Sequence, residues 1–260
     1  MFTKKRVLLF ALFFWVASSV PVVSSLTSTD LNPAGPGSDP ILIHSNSSLT
    51  YPPRTVSVDD KTPNAATTSS FSFPHTVTSS GSNLLLIVGV MTDSGRTVSV
   101  TPTYGGQDMS PVIARTHASG KPRVEIWELV APATGPNTVA VTLSSIDKAV
   151  VSAISFMSAD QITPTEGSLC AEGTSTSPSV SIVSAADDLV LDVMTSQAAG
   201  SPTVDPSQSQ QWNVELGGGG ASNHFGTGST EAGAASVAMD WTLGQSKEWV
   251  SCGLNINDSG

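Results

Sequence analysis

Apolar residues in this chain fall into short, β-branched runs. They are "RTVSV" (54–58), "SFSFPHTV" (70–77), "NLLLIVGVM" (83–91), "RTVSVTPTY" (96–104), "RVEIWELV" (123–130), "NTVAVTL" (137–143) and "AVVSAISFM" (149–157). Several alternate apolar and polar side chains with period two, as a strand with two unlike faces does. Turn-formers such as "SSGSN", "TDSG", "YGGQD" and "PATGPN" separate them. The one helical candidate, "STEAGAASVAM" (229–239), contains Gly233 and runs into an alternating segment, so it is discounted. Many short strands with Gly and Pro punctuation predict an all-β protein of antiparallel sandwich, jelly-roll-like type.

The pattern is written twice. "SNLLLIVGVMTDS" (82–94) returns as "DDLVLDVMTSQ" (187–197), with Val90-Met91-Thr92 echoed by Val193-Met194-Thr195. "TPTYGGQ" (101–107) returns as "SPTVDPSQ" (201–208), "TVAVTL" (138–143) as "SVAMDW" (236–241), and "KAVVSAISF" (148–156) as "KEWVSCGLNI" (247–256). Matched segments in the same order predict two homologous β-sandwich units in tandem, 54–162 and 179–257, joined by a polar connector at 163–178.

The copies differ in facing. In the second, Leu189, Leu191 and Val193 alternate with Asp188 and Asp192, which reads as a strand with one wet face. In the first, Leu84, Leu86 and Val88 on one face are matched by Leu85 and Ile87 on the other, so both faces need a cover. The leader segment "ILIH" or the other unit could supply it, and the two units are expected to share an interface.

The start of the chain supplies an address. Lys4, Lys5 and Arg6 precede the apolar "VLLFALFFWVASSVPVV", and Val23-Ser24-Ser25 offers the small residues of a cleavage site. A secretory signal peptide over 1–25 is expected, with an uncleaved membrane anchor as the alternative. Residues 26–53, rich in Pro, Ser and Gly, read as an extended leader, and no sorting tail is recognised after "NINDSG". Without the signal, 8 basic residues stand against 21 acidic ones, a net of −13. Such a surface repels phosphate backbones, so nucleic acid is an improbable partner. The expected location is extracellular or on the cell surface.

The packing pattern "HTVTSSGSNLLLIVGV…PTYGGQDM…VEIWELVAP…VAVTLSS…AVVSAISF", followed by the "DLVLDV…W" copy, resembles secreted bacterial and archaeal tandem β-sandwich surface modules. The likeness covers residues 54–257 and implies a jelly-roll or concanavalin-like sandwich used in carbohydrate binding or adhesion. It carries over no catalytic residue.

The search for chemistry finds no G-x-S-x-G, H-E-x-x-H or C-x-x-C motif. His44, His75, His117 and His224 lack metal-ligand spacing, and His75 is expected at a strand end near Pro74. Glu125 and Glu128 flank Trp127, but three apart on a strand they point to opposite faces, which argues against a paired-carboxylate glycosidase. "GGGGASNHFGTGST" (217–230) lacks the Lys and the strand-to-helix context of a phosphate loop. The acidic turns Asp59-Asp60 and Asp187-Asp188 could hold a structural Ca²⁺. Cys170 and Cys252, the only cysteines, invite a disulfide in an oxidising compartment, although Cys252 shares a face with Val250, Leu254 and Ile256 and would also suit a buried thiol.

No enzyme is expected. A glycan-binding or adhesion module is the first reading, and a structural subunit of a matrix, coat or appendage the alternative. Aromatic placement separates them, because sugar binding needs exposed rings. Trp241 shares a face with Val237 and Met239 and belongs to the core; Trp127 is expected to pack. Trp249 alternates with Lys247, Ser251 and Asn255 and is the ring expected on a ligand platform, or else against the first unit. Trp212, in "QSQQWNVE", is the second ligand candidate.

Overall fold

One long ribbon organises the N-terminal half. The computed structural model describes residues 55–78, 81–197, 200–217 and 223–260; the expected signal peptide, the leader with "ILIH", and His44 lie outside them. Among the described residues this half holds β1 (Ser57–Val77), β2 (Leu85–Thr92), β3 (Val98–Tyr104), β4 (Gln107–Asp108), β5 (Ser110–Thr116), β6 (Arg123–Val130) and β7 (Gly135–Met157). β7 carries "NTVAVTL" and "AVVSAISFM", expected as separate strands, in one 23-residue run. It pairs antiparallel with β1 throughout, and the register slips between Thr68 and Ser70, where residues 143–146 bulge from the ladder. Such a bulge bends and twists a ribbon. On one side of it β7 takes β2 as its second neighbour, on the other β3. The ribbon thus feeds an inner sheet, β5-β6-β2-β7-β1, and an outer one, β1-β7-β3-β4. Between them lies an apolar core of Leu86, Val88, Val90 and Val151 against Phe71, Phe73, Tyr104 and Val141.

The C-terminal half holds β8 (Thr165–Ser175), β9 (Ser179–Ile182), β10 (Leu189–Ser196), β11 (Thr203–Val204), β12 (Ser209–Leu216), β13 (His224–Ala232), β14 (Val237–Thr242) and β15 (Lys247–Ile256). Its sheets run β12-β13-β10-β15-β8 and β11-β14-β9. Apart from β4, which has no counterpart, this is the order of the N-terminal half, with β8 and β9 standing for the two parts of β1, and β14 and β15 for the two parts of β7. The stretch 163–178, expected as a connector, therefore contains an edge strand. Half-exposed edge strands need no apolar alternation, which hid it.

The two inner sheets pack on each other. Leu85, Ile87, Met91, Ile126 and Ile154 meet Leu191, Val193, Val250, Leu254 and Ile256 in a central core. Each such side chain contributes about 1.5–3 kcal/mol when fully buried. β2 is covered on both faces, as its sequence requires: one by the other half, one by its own outer sheet.

Two readings of β10 are corrected here. Asp192 does not face water but has no exposed surface, because its face is turned into the core of its own half. The Val-Met-Thr echo is also out of step by one residue. Val90 points into its own sandwich and Val193 into the central core, while Met91 and Met194 do the reverse. A one-residue slip exchanges the faces of a strand, so the like-facing pairs are Leu85 with Leu189 and Val88 with Asp192. By the same registers Val124 and Ile126 match Gly226 and Gly228, and Val151 matches Ser251.

Glycine makes room at two of these places, once for the facing sheet and once for a ring on the next strand of its own sheet. A Cβ on Gly226 would lie 2.5 Å from Cβ of Val150, and one on Gly228 would lie 2.2 Å from the ring of Trp212.

Candidate functional site

Both rings expected on a ligand platform are buried. Trp249 is 6% exposed and packs with Met194, Phe225, Trp241 and Leu243 inside the C-terminal sandwich, its Nε1 donating to Ser175 Oγ at 3.0 Å. The polar neighbours that suggested a wet face, Ser251 and Asn255, are themselves fully buried. Trp212 is 3% exposed and fills the central core above Gly228. Trp241 lies in the core as expected, and Trp127 packs half-buried against the N-terminal core. No aromatic ring among the described residues is exposed.

Cys170 and Cys252 form a disulfide between directly opposed residues of β8 and β15. Cys252 lies in the central core with Val250, Leu254 and Ile256, so the shared apolar face and the bond coexist.

The acidic turns hold protein donors. Asp59 accepts from Thr78 N, Thr78 Oγ1 and Ser155 Oγ, and Asp188 from Ala185 N, Asn255 Nδ2 and Asp258 N. Burial pushes the Asp59 carboxyl up, but its hydrogen bonds from Thr78 and Ser155 outweigh this and hold it low. No group of three acidic, His or Cys side chains among the described residues could hold a metal. Glu125 and Glu128 do point apart. Glu125 accepts from Val98 N and pairs with Arg123 at 2.8 Å, while Glu128 accepts from Thr165 Oγ1.

Two histidines that sequence spacing left unremarkable are buried. His75, near the end of β1, sits between Thr62 Oγ1 at 2.9 Å and Ser155 Oγ at 3.2 Å. Ser155 gives its proton to Asp59, so Nε2 of His75 is the donor and Nδ1 the acceptor. His224 closes one end of the seam between the halves. Its Nε2 faces the Met91 carbonyl at 3.1 Å and its Nδ1 lies 3.8 Å from Asp93, which also accepts from Gln197. Burial holds both imidazoles below their usual value, and the nearby carboxylates only partly oppose it. Elsewhere along the seam Arg115 pairs with Glu172, and Lys61 donates to Gln211.

The most unusual chemistry lies inside the C-terminal sandwich. Asp192 accepts from Ser229 N at 2.9 Å and Ser229 Oγ at 2.5 Å on one oxygen, and from Trp241 Nε1 at 2.6 Å on the other. Ser251 Oγ stands 3.5 Å from the second oxygen. Burial raises the carboxyl to about 6, with the hydrogen bonds of Ser229, Trp241 and Ser251 offsetting only part of the lost hydration. On the far side of Ser229 the Gln208 amide places Nε2 2.6 Å from the hydroxyl, and its carbonyl accepts from Asp240 N at 2.7 Å. A carboxylate, a hydroxyl and an oriented amide thus stand in line without bulk water. One signal for this site was available. Asp192 is surrounded by Val190, Leu191, Val193 and Met194, and "GTGST" of β13 supplies small polar residues at its register.

No protein-family model, no curated protein and no solved structure matches this chain.

Proposed function

We propose that this protein is a non-catalytic structural subunit of an extracellular matrix, coat or appendage, built as a duplicated β-sandwich. The carrying observation is that every described aromatic ring is spent on packing. A glycan-binding face requires exposed rings, and that reading loses Trp249 and Trp212. Duplication is supported by the shared strand order of the halves, β4 apart, and by their contact. Gly89 and Val193 hold equivalent places and touch, a Cβ on the glycine lying 3.0 Å from Val193 Cγ1. Equivalent residues meet in this way when two copies pack about a two-fold axis. The disulfide suits an oxidising compartment. Exposed apolar side chains occur at sheet borders: Leu169 lies on edge strand β8 and Val183 just past edge strand β9.

The test pairs light scattering of the secreted protein over a concentration series with a glycan array. Concentration-dependent assembly with no glycan retained supports the subunit reading. A monomer at all concentrations that is retained by a defined polysaccharide overturns it.

A further inference from the structure

We propose that Ser229 and Gln208 join to each other by an autocatalytic intramolecular ester, formed with loss of ammonia. This goes beyond the subunit reading and does not depend on it.

The three groups stand in hydrogen-bond contact in the order such a step uses them, base, nucleophile, amide. Ser229 Oγ gives its hydrogen to Asp192 Oδ1 at 2.5 Å and accepts one from Gln208 Nε2 at 2.6 Å, which holds the oxygen beside the amide with one lone pair still unused. The Gln208 carbonyl oxygen lies 2.7 Å from Asp240 N. This N–H fixes which end of the amide faces the serine and stabilises negative charge developing on the oxygen. Trp241 Nε1 and Ser229 N hold the carboxylate in place. Asp192 and Ser229 are fully buried and Gln208 nearly so, which keeps water from competing as nucleophile.

The step balances without any co-reactant. Asp192 takes the proton of Ser229 as Oγ bonds to the amide carbon of Gln208. The tetrahedral intermediate then expels its nitrogen, and Asp192 returns the proton to it. One C–N and one O–H bond break, one C–O and one N–H bond form, and ammonia leaves. A carboxyl that titrates near 6 can both accept and return a proton at neutral pH.

A neighbouring pair acts as an internal control. Gln211 Nε2 stands 2.7 Å from Thr230 Oγ1, a similar amide–hydroxyl contact, but the Gln211 carbonyl is engaged by the Lys61 ammonium and no carboxylate accepts from Thr230 among the described contacts. The base therefore selects one pair of the two. The N-terminal half has no counterpart, because Val88 stands in the place of Asp192.

Intact-mass measurement of the full secreted chain tests this. The mass should fall below that calculated for its own N-terminus and disulfide by one ammonia, about 17 Da. Cleavage after Glu172, Glu215 and Glu231 should leave peptides 173–215 and 216–231 joined, and hydroxylamine should part them. Ser229→Ala and Asp192→Asn should restore the full mass. A wild-type chain at full mass with separate peptides overturns the proposal whether or not the variants fold, and so does a link mapped to Gln211 and Thr230.

Discussion

The two halves run their strands in one order, β4 apart, around cores that differ at their centre. In the N-terminal sandwich, Val88 lies between Trp127 and Ala153 on the neighbouring strands in one apolar cluster, and the buried polar pair His75 and Ser155 lies beside Tyr104. In the C-terminal one, Asp192 lies between Ser229 and Gly253, and the core is split into two apolar clusters with the polar group between them. Strand order therefore does not require one kind of interior. It requires that whatever enters be satisfied, by contact in the first case and by hydrogen bonds in the second.

The most severe way to break this comparison is Val88→Asp. The new carboxylate meets Trp127 and Ala153 but no cluster of donors, and about 5 kcal/mol should be lost, enough to leave little soluble protein on expression. Next is the disulfide, which only the C-terminal half has; the place of Cys252 is taken in the other half by Ser152, opposite Pro63. Replacing Cys170 and Cys252 by Ala should cost about 4 kcal/mol on loop entropy and lower the urea midpoint, as reductant should in the wild type.

Asp192→Val, which imports the residue of the N-terminal half, should cost about 3 kcal/mol by stranding the donors of Ser229 and Trp241. Adding Ser229→Trp and Ser251→Val should recover part of that loss in chemical denaturation; no recovery would mean the halves are not interchangeable at these positions. Gly226→Ala tests the seam rather than the cores. Its methyl would meet Val150 at 2.5 Å, and about 2 kcal/mol of overpacking strain should appear as a lower melting temperature.

The smallest effect is a pH dependence, at most about 1.4 kcal/mol per pH unit for each proton. His224 is held neutral by burial, so as pH falls below 6.5 the unfolded chain takes up a proton that the folded one refuses, and stability declines; His75 acts in the same direction. Asp192 acts oppositely. Between 3.8 and about 6 the folded chain keeps a proton that the unfolded one releases, so its contribution falls as pH rises. Urea midpoints between pH 4 and 7 should show a shallower acid loss for His224→Gln and a steeper one for Asp192→Asn. Unchanged slopes would remove both assignments.

Much of the fold was legible in the sequence because packing residues repeat with the period of a strand. "RVEIWELV" is β6 from end to end, and the doubly apolar "LLLIV" announced a strand covered on both faces. The candidate site was less legible. Asp192, Ser251 and Asn255 alternate with apolar residues just as solvent-facing positions do, and period two records that two faces differ, not which one is wet. Trp249 was misplaced for that reason. Trp212 was obscure because its seat is the empty surface of Gly228, on another strand.

By itself the sequence determined that the chain is all-β, that its segments recur in order, and that one unit must lean on something apolar. Those properties follow from side-chain volume and spacing along the chain. Only the tertiary structure decided that β1 and β7 bend to serve two sheets, that Cys170 stands opposite Cys252, and that Ser229 stands between Gln208 and one buried carboxylate. Register between distant strands sets each of these. A shift of one residue, invisible in composition, would turn Asp192 from its donors into the central core.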